Sequence, residues 1–177
     1  MLTLPNLLTI LRLALTPFIA VAILGGAYSR AIVLCFLAGL SDGIDGLLAR
    51  KLGQSSQFGA YFDPIADKIL LSAVYISLGI AHDIEWWMVA LVFGRDIFIL
   101  AMAAYGFLFT TIRKFPPSIW GKISTFFQIL AALAVLSYRA GLAIPTGPFL
   151  WCMAAVTAWS GLHYAWRGIT LLKAQSS

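Results

Sequence analysis

Trp86-Trp87-Met88-Val89-Ala90-Leu91-Val92-Phe93-Gly94-Arg95-Asp96-Ile97-Phe98-Ile99-Leu100-Ala101-Met102-Ala103-Ala104-Tyr105-Gly106-Phe107-Leu108-Phe109-Thr110 is a run of 25 residues with two charges. About 20 predominantly apolar residues suffice for a helix to cross the hydrocarbon core of a bilayer. The run shows no alternation of polar and apolar residues, so it predicts a helix and not a barrel strand.

Working outward, five more apolar stretches follow the same rule. One covers Leu13 to Leu24 and is preceded by Leu2 to Arg12. Others run from Ala31 to Leu48, Phe58 to Ile80, Trp120 to Ala140 and Pro148 to Leu172. The segment Asn6-Leu7-Leu8-Thr9-Ile10-Leu11-Arg12 spaces its polar residues by three. It is expected to form an interfacial amphipathic helix, with Pro17 kinking it or marking its join to the first span. Arg12 interrupts the apolar run and no basic leader precedes it, so a cleavable signal peptide is not expected. The predicted fold is all-α: an integral membrane bundle of six transmembrane helices with an N-terminal interfacial helix. Residues 1–177 form one domain in this reading.

Composition agrees. Of 177 residues, 61% are hydrophobic and 11% charged, against roughly 25% charged in a typical soluble domain. Mean hydropathy is +0.92. These values exclude a disordered chain, a disulfide scaffold and an ordinary cytosolic enzyme. The net charge of +5 is dispersed, which suits anionic lipid and does not indicate nucleic acid. Cys35 and Cys152 lie in apolar runs and are expected to be small core residues. His163 is expected to be a satisfied polar group between helices.

Basic loops orient the chain. With six spans, the termini and the loops at 49–58 and 111–119 share one side, which holds Arg50, Lys51, Arg113, Lys114 and Lys173. That side is expected to face the cytoplasm. Trp86, Trp87 and Trp151 fall near the opposite ends, where an aromatic belt belongs.

The acids are concentrated. Asp42, Asp45, Asp63 and Asp67 are four of the seven carboxylates, within 26 residues. On a helix, Asp42, Asp45, Gly46 and Ala49 share one face, and Gly59, Asp63 and Asp67 form a stripe at intervals of four. Two helices joined by a short polar loop would set these stripes against each other. Carboxylates so close together must be protonated or held by cations. Hard divalent ions with oxygen ligands answer that need, and a pair ~3.5–4 Å apart is the usual arrangement for phosphoryl transfer. Arg50 offers a planar fork for phosphate. The glycines leave room for a phosphate-bearing ligand near the backbone.

The spacing D-x2-D-G-x2-A-R-x8-G-x3-D-x3-D is occupied at all eight fixed positions, by Asp42, Asp45, Gly46, Ala49, Arg50, Gly59, Asp63 and Asp67. In this the sequence resembles the CDP-alcohol phosphotransferases. The opening Leu4-Pro5-Asn6-Leu7-Leu8-Thr9-Ile10-Leu11-Arg12 is also similar to bacterial glycerophospholipid members. The resemblance implies transfer of a phosphatidyl group from CDP-diacylglycerol to an alcohol, with release of CMP. It implies Asp42, Asp45, Asp63 and Asp67 as metal ligands for two divalent cations, Mg2+ or Mn2+, and Asp67 also as the base that takes the acceptor's hydroxyl proton. It places Asp42, Gly46, Ala49, Arg50 and Gly59 in the CDP-lipid pocket. It further implies a homodimer, and a place in the bacterial inner membrane with the site facing the cytoplasm.

The acceptor is read from less specific residues. Members using glycerol 3-phosphate usually carry Arg-Glu in the fourth span, with Leu-Arg soon after. Here Gly94-Arg95-Asp96 is followed by no arginine until Arg113. With Gly121-Lys122-Ile123-Ser124-Thr125 and Gln128, this is more similar to the eukaryote-type cardiolipin synthases, which use phosphatidylglycerol. Arg95, Arg113 and Lys122 are the candidate acceptor-binding cations. Arg95 and Asp96 also read as a structural pair between spans. Glycerol 3-phosphate is the alternative acceptor. A small transporter with an acidic ion site is the alternative from another class, but inverted repeats are not evident and the acids lie near a boundary.

Overall fold

The computed structural model describes the backbone of residues 4–52, 57–109 and 119–173, and the side chains of residues 9–41, 65–102, 119–168 and 170. The described chain is all-α, with six helices: α1 (Leu4–Leu24), α2 (Tyr28–Leu52), α3 (Gln57–Ile80), α4 (Trp86–Phe109), α5 (Ile119–Arg139) and α6 (Thr146–Lys173). The boundaries read from the apolar runs hold to within a few residues, except at the N-terminus. There the expected interfacial helix and first span are one continuous helix with Pro17 inside it. The physical reason lies in its inward stripe. Thr9, Arg12, Thr16, Ile19 and Ile23 are spaced by three and four and are all buried, so the polar residues continue the packed face of the span.

Two compact units are distinguished: Met1–Ile84 with Val135–Ile144, and Glu85–Ala134 with Pro145–Ser177. In the first unit α1 packs against both α2 and α3. Small buried residues on these helices, Ala31 and Ala38 on α2 and Ala66 on α3, suit close approach of the backbones. In the second unit α4 packs against α6.

The odd-numbered helices end alike. After α1, Gly26 takes φ +71°, its N–H bonds to Ile23 O at 3.0 Å, and Ala27 N–H bonds to Ala22 O at 2.8 Å. After α5, Gly141 takes φ +97°, with bonds to Tyr138 O and from Leu142 to Ser137 O, both 3.0 Å. After α3, His82 holds the same place at φ +57°, bonding Gly79 O at 3.1 Å while Asp83 N–H bonds Leu78 O at 2.9 Å. Each is a Schellman stop, which satisfies the last carbonyls and favours glycine at the left-handed position. These stops bring Asp83, Arg139 and Tyr28 together within the first unit. Arg139 Nε lies 2.7 Å from the fully buried Asp83 carboxylate, and its Nη2 donates to Tyr28 Oη at 3.4 Å.

The outer surface is apolar. Phe18, Val21, Phe36, Leu100, Trp151, Leu162 and Trp166 are each more than 60% exposed, a distribution suited to hydrocarbon and not to water. Among the described residues, Ile119–Arg139 is long and apolar enough to cross a membrane, and Thr9–Leu24 and Tyr28–Ser41 are shorter apolar helices. Trp87 and Trp151 meet with ring centroids 5.8 Å apart, near the beginnings of α4 and α6. Two expectations are corrected. Cys152 is exposed and Cys35 only partly enclosed, because each lies toward the apolar outer surface of its helix. His163 Nδ1 is buried with no hydrogen-bond partner among the described residues; the rings of Tyr164 and Trp166 lie beside it.

Candidate active site

The acidic motif lies wholly in the first unit. Asp42, Asp45, Gly46, Ala49 and Arg50 occupy the last three turns of α2, and Gly59, Asp63 and Asp67 the first half of α3. Both segments are helical, so Asp42 to Asp45 and Asp63 to Asp67 are each separated by about one turn of 3.6 residues. The side chains of Asp42, Asp45, Gly46, Ala49, Arg50, Gly59 and Asp63 lie outside the described residues, and their roles stand as proposals.

Asp67 is described. Its side chain is 51% exposed, and Arg12 Nη1 donates to its Oδ1. Arg12 itself is 1% exposed, the largest fully buried side chain described. It projects from α1, the helix that packs on both motif-bearing helices. A cation enclosed in a weakly polar bundle needs an anion beside it, and among the described residues Asp67 supplies one. The sequence reading placed Arg12 at a membrane boundary and missed this role. The available signal was the Thr9, Arg12, Thr16 spacing inside an apolar helix, which marks an inward polar stripe.

The candidate acceptor cations divide differently. Arg95 is 9% exposed on α4 in the second unit. Its Nη1 donates to Asp96 Oδ1 at 2.6 Å, and its Nη2 donates to Ser160 Oγ at 3.0 Å and to Gly121 O at 3.4 Å. Its guanidinium carbon lies 6.0 Å from the centre of the Tyr164 ring. A Cβ at Gly121 would come within 3.1 Å of both Arg95 Nη2 and Tyr164 Oη, so glycine is what admits the cation here. Arg95 therefore links α4 to α5 and α6. Lys122 is exposed on α5, and Arg113 lies outside the described residues. Below Arg95 the polar contacts continue: Ser124 and Thr157 hydroxyls are 3.2 Å apart, and Gln128 Nε2 donates to Thr157 Oγ1 at 3.3 Å and to Ser124 Oγ at 3.4 Å. Sequence reasoning singled out Ser124 and Gln128 by resemblance but not their partners on α6.

The sequence profile of the CDP-alcohol phosphatidyltransferases matches residues 2–161, across the helices just described. The chain belongs to this family. It is a CDP-alcohol phosphatidyltransferase, an enzyme of phospholipid synthesis. Relatives of this phosphatidyltransferase carry two kinds of name. A probable phosphatidylglycerophosphate synthase of Mycobacterium tuberculosis is 33% identical, over 94% of this chain and 81% of the relative. A CDP-diacylglycerol–glycerol-3-phosphate 3-phosphatidyltransferase of Escherichia coli is 34% identical, over 90% and 91%. A CMP-forming cardiolipin synthase of Rattus norvegicus is 32% identical, over 97% of this phosphatidyltransferase and 64% of the relative.

Proposed function

We propose that this phosphatidyltransferase moves the phosphatidyl group of CDP-diacylglycerol to phosphatidylglycerol, giving cardiolipin and CMP. The transfer rests on the eight-position motif carried by two successive helices, with Asp67 half exposed at its end. Asp67 takes the proton of the acceptor hydroxyl. The acceptor oxygen bonds to the phosphorus that bears diacylglycerol, and the bond from that phosphorus to the bridging oxygen breaks. CMP leaves with that oxygen and its electron pair. Arg50 grips the diphosphate through two parallel donors, and Gly46, Ala49 and Gly59 leave space for the nucleotide.

Four carboxylates about a turn apart in pairs, with no thiol or imidazole in the motif, suit hard divalent cations. Asp42, Asp45, Asp63 and Asp67 would hold two, Mg2+ or Mn2+. Bound there, the ions supply neutralisation of the diphosphate and of the leaving CMP.

The acceptor rests on one observation: both terminal nitrogens of Arg95 are engaged within the protein, Nη1 with Asp96 and Nη2 with Ser160 and Gly121. A small dianion such as glycerol 3-phosphate needs several cations near the base. Phosphatidylglycerol carries one phosphate charge and gains binding from its acyl chains. The second reading is glycerol 3-phosphate, favoured by the names of the bacterial relatives. The test is purified protein with CDP-diacylglycerol and each acceptor separately, its lipid products read by mass spectrometry. Cardiolipin is expected; phosphatidylglycerophosphate as the dominant product, without cardiolipin, overturns the choice of acceptor.

The same reading takes all six helices as spans, with cytoplasmic termini in a bacterial inner membrane, on the apolar outer surface and the loop charges. It takes the chain as one catalytic domain, because the family profile runs across both units, and as a homodimer, on the family resemblance.

A further inference from the structure

We infer that Arg12 is a positioning residue for Asp67: it fixes the carboxylate so that its exposed part meets the acceptor hydroxyl. The inference rests on the proposed role of Asp67 as proton acceptor. Three observations carry it. Arg12 Nη1 donates to Asp67 Oδ1. Arg12 is 1% exposed whereas the Asp67 side chain is 51% exposed, so the rigid partner is the cation and the accessible one is the acid. Arg12 stands on the helix that packs on both α2 and α3, so its own position is set by the helices that carry the motif.

The geometry accounts for the placing of an arginine at this depth. A carboxylate at the end of two rotatable bonds samples several orientations, and only some present an oxygen to the reacting hydroxyl. A guanidinium held in packed surroundings restricts those orientations through a directional hydrogen bond. Misplacing a reacting group by ~1 Å costs about 10²-fold in rate. A lysine would keep the charge but hold the acid through a swivelling single donor.

The test uses the purified full chain in lipid nanodiscs with CDP-diacylglycerol and saturating acceptor, reading CMP release, donor affinity and melting temperature. Arg12→Lys is expected to lower kcat about tenfold, with donor affinity within about threefold of the unaltered protein. Arg12→Gln, where it folds, is expected to lower kcat by about 10²-fold with the same sparing of donor affinity. An Arg12→Lys protein with unaltered kcat overturns the inference. So does a parallel fall in kcat, donor affinity and melting temperature, which is what a purely structural arginine would give. Asp67→Asn is measured alongside. If it keeps full kcat, the proton-acceptor role fails and the inference fails with it. If it loses kcat while both Arg12 variants keep theirs, the role of Arg12 alone is overturned.

Discussion

Ser160 Oγ on α6 accepts a hydrogen bond from Arg95 Nη2 on α4 at 3.0 Å, and both residues are buried. Together with Gly121 O on α5, this hydroxyl holds a guanidinium inside the second unit. Ser160→Ala is expected to destabilise the protein by about 1 kcal/mol, the upper part of the range measured for polar contacts between membrane helices. Ser160→Thr should lose less. Melting temperatures of the two variants check the order. An alanine variant as stable as the original would show that Asp96 and Gly121 suffice to hold Arg95.

Gly121 and Gly94 should respond oppositely to alanine. A Cβ at Gly121 would press on Arg95 Nη2 and Tyr164 Oη, each at 3.1 Å, whereas among the described residues nothing lies within 4 Å of one at Gly94. Arg95 is held by its hydrogen bonds and Tyr164 is buried, so neither yields easily. Gly121→Ala is expected to cost about 1 kcal/mol by overpacking. Gly94→Ala is expected to be neutral or stabilising by up to ~1 kcal/mol through helix propensity. Thermal unfolding of the two variants side by side tests the contrast.

Asp42→Asn, Asp45→Asn and Asp63→Asn should each reduce CMP release by at least about 10²-fold while the protein still inserts in the membrane. Chelation of divalent ions should abolish release, and added Mg2+ or Mn2+ should restore it. Arg50→Lys should instead weaken CDP-diacylglycerol binding, because a point charge replaces a fork. Full activity of any of the three asparagine variants at low Mg2+ would remove that position from the ligand set.

His82 holds a left-handed backbone at φ +57° where the equivalent turns use Gly26 and Gly141. Side chains with a Cβ pay about 1 kcal/mol or more there. His82→Gly is therefore expected to raise stability by about 1 kcal/mol, less any gain in flexibility of the unfolded chain. His82 is exposed, so turnover should be unchanged. A lowered melting temperature would mean that the imidazole makes a contribution larger than the strain it costs.

Arg139 and Asp83 are an unequal pair, the cation 46% exposed and the carboxylate fully buried. Removing the cation leaves a charge enclosed without compensation, whereas removing the acid's charge leaves an arginine that can turn to solvent. Arg139→Gln should therefore lower the melting temperature more than Asp83→Asn. The double variant should be no worse than Arg139→Gln alone. A double-mutant cycle reads this directly.

Much of the helical layout was legible in the apolar runs, because a hydrocarbon environment leaves a backbone few alternatives to the helix. The α3 and α4 boundaries were readable almost to the residue, Trp86 marking one and Ile80 the other. The acidic motif was equally legible, since its residue types and spacing are local properties. Arg12 was not, because its meaning comes from Asp67, 55 positions away, and polar spacing alone fits a membrane surface as well as a packed face. The same holds for Arg95. Its charge was visible, but its engagement depends on Ser160 and Gly121, which lie on two other helices. The single helix Leu4–Leu24 was missed for a related reason: Pro17 reads as a break, yet packing of Ile19 and Ile23 beyond it continues the stripe.

On the proposed reading in which α5 and α6 both span the bilayer, the contacts of Ser124 and Gln128 with Thr157 bear on how the chain enters the membrane during synthesis. Helix α5 is apolar enough to partition into lipid by composition, but it arrives carrying an amide and a hydroxyl on one side. Helix α6 follows after a short turn with Thr157, Ser160 and His163 to place. A polar group left facing hydrocarbon costs several kcal/mol, roughly 2–7 for an uncompensated amide or hydroxyl. On that reading the amide and hydroxyl of α5 and the hydroxyl of Thr157 on α6 shelter one another from hydrocarbon. On that reading the two helices are expected to insert as a hairpin, and a chain truncated within the α5–α6 turn should integrate less durably than one that includes both.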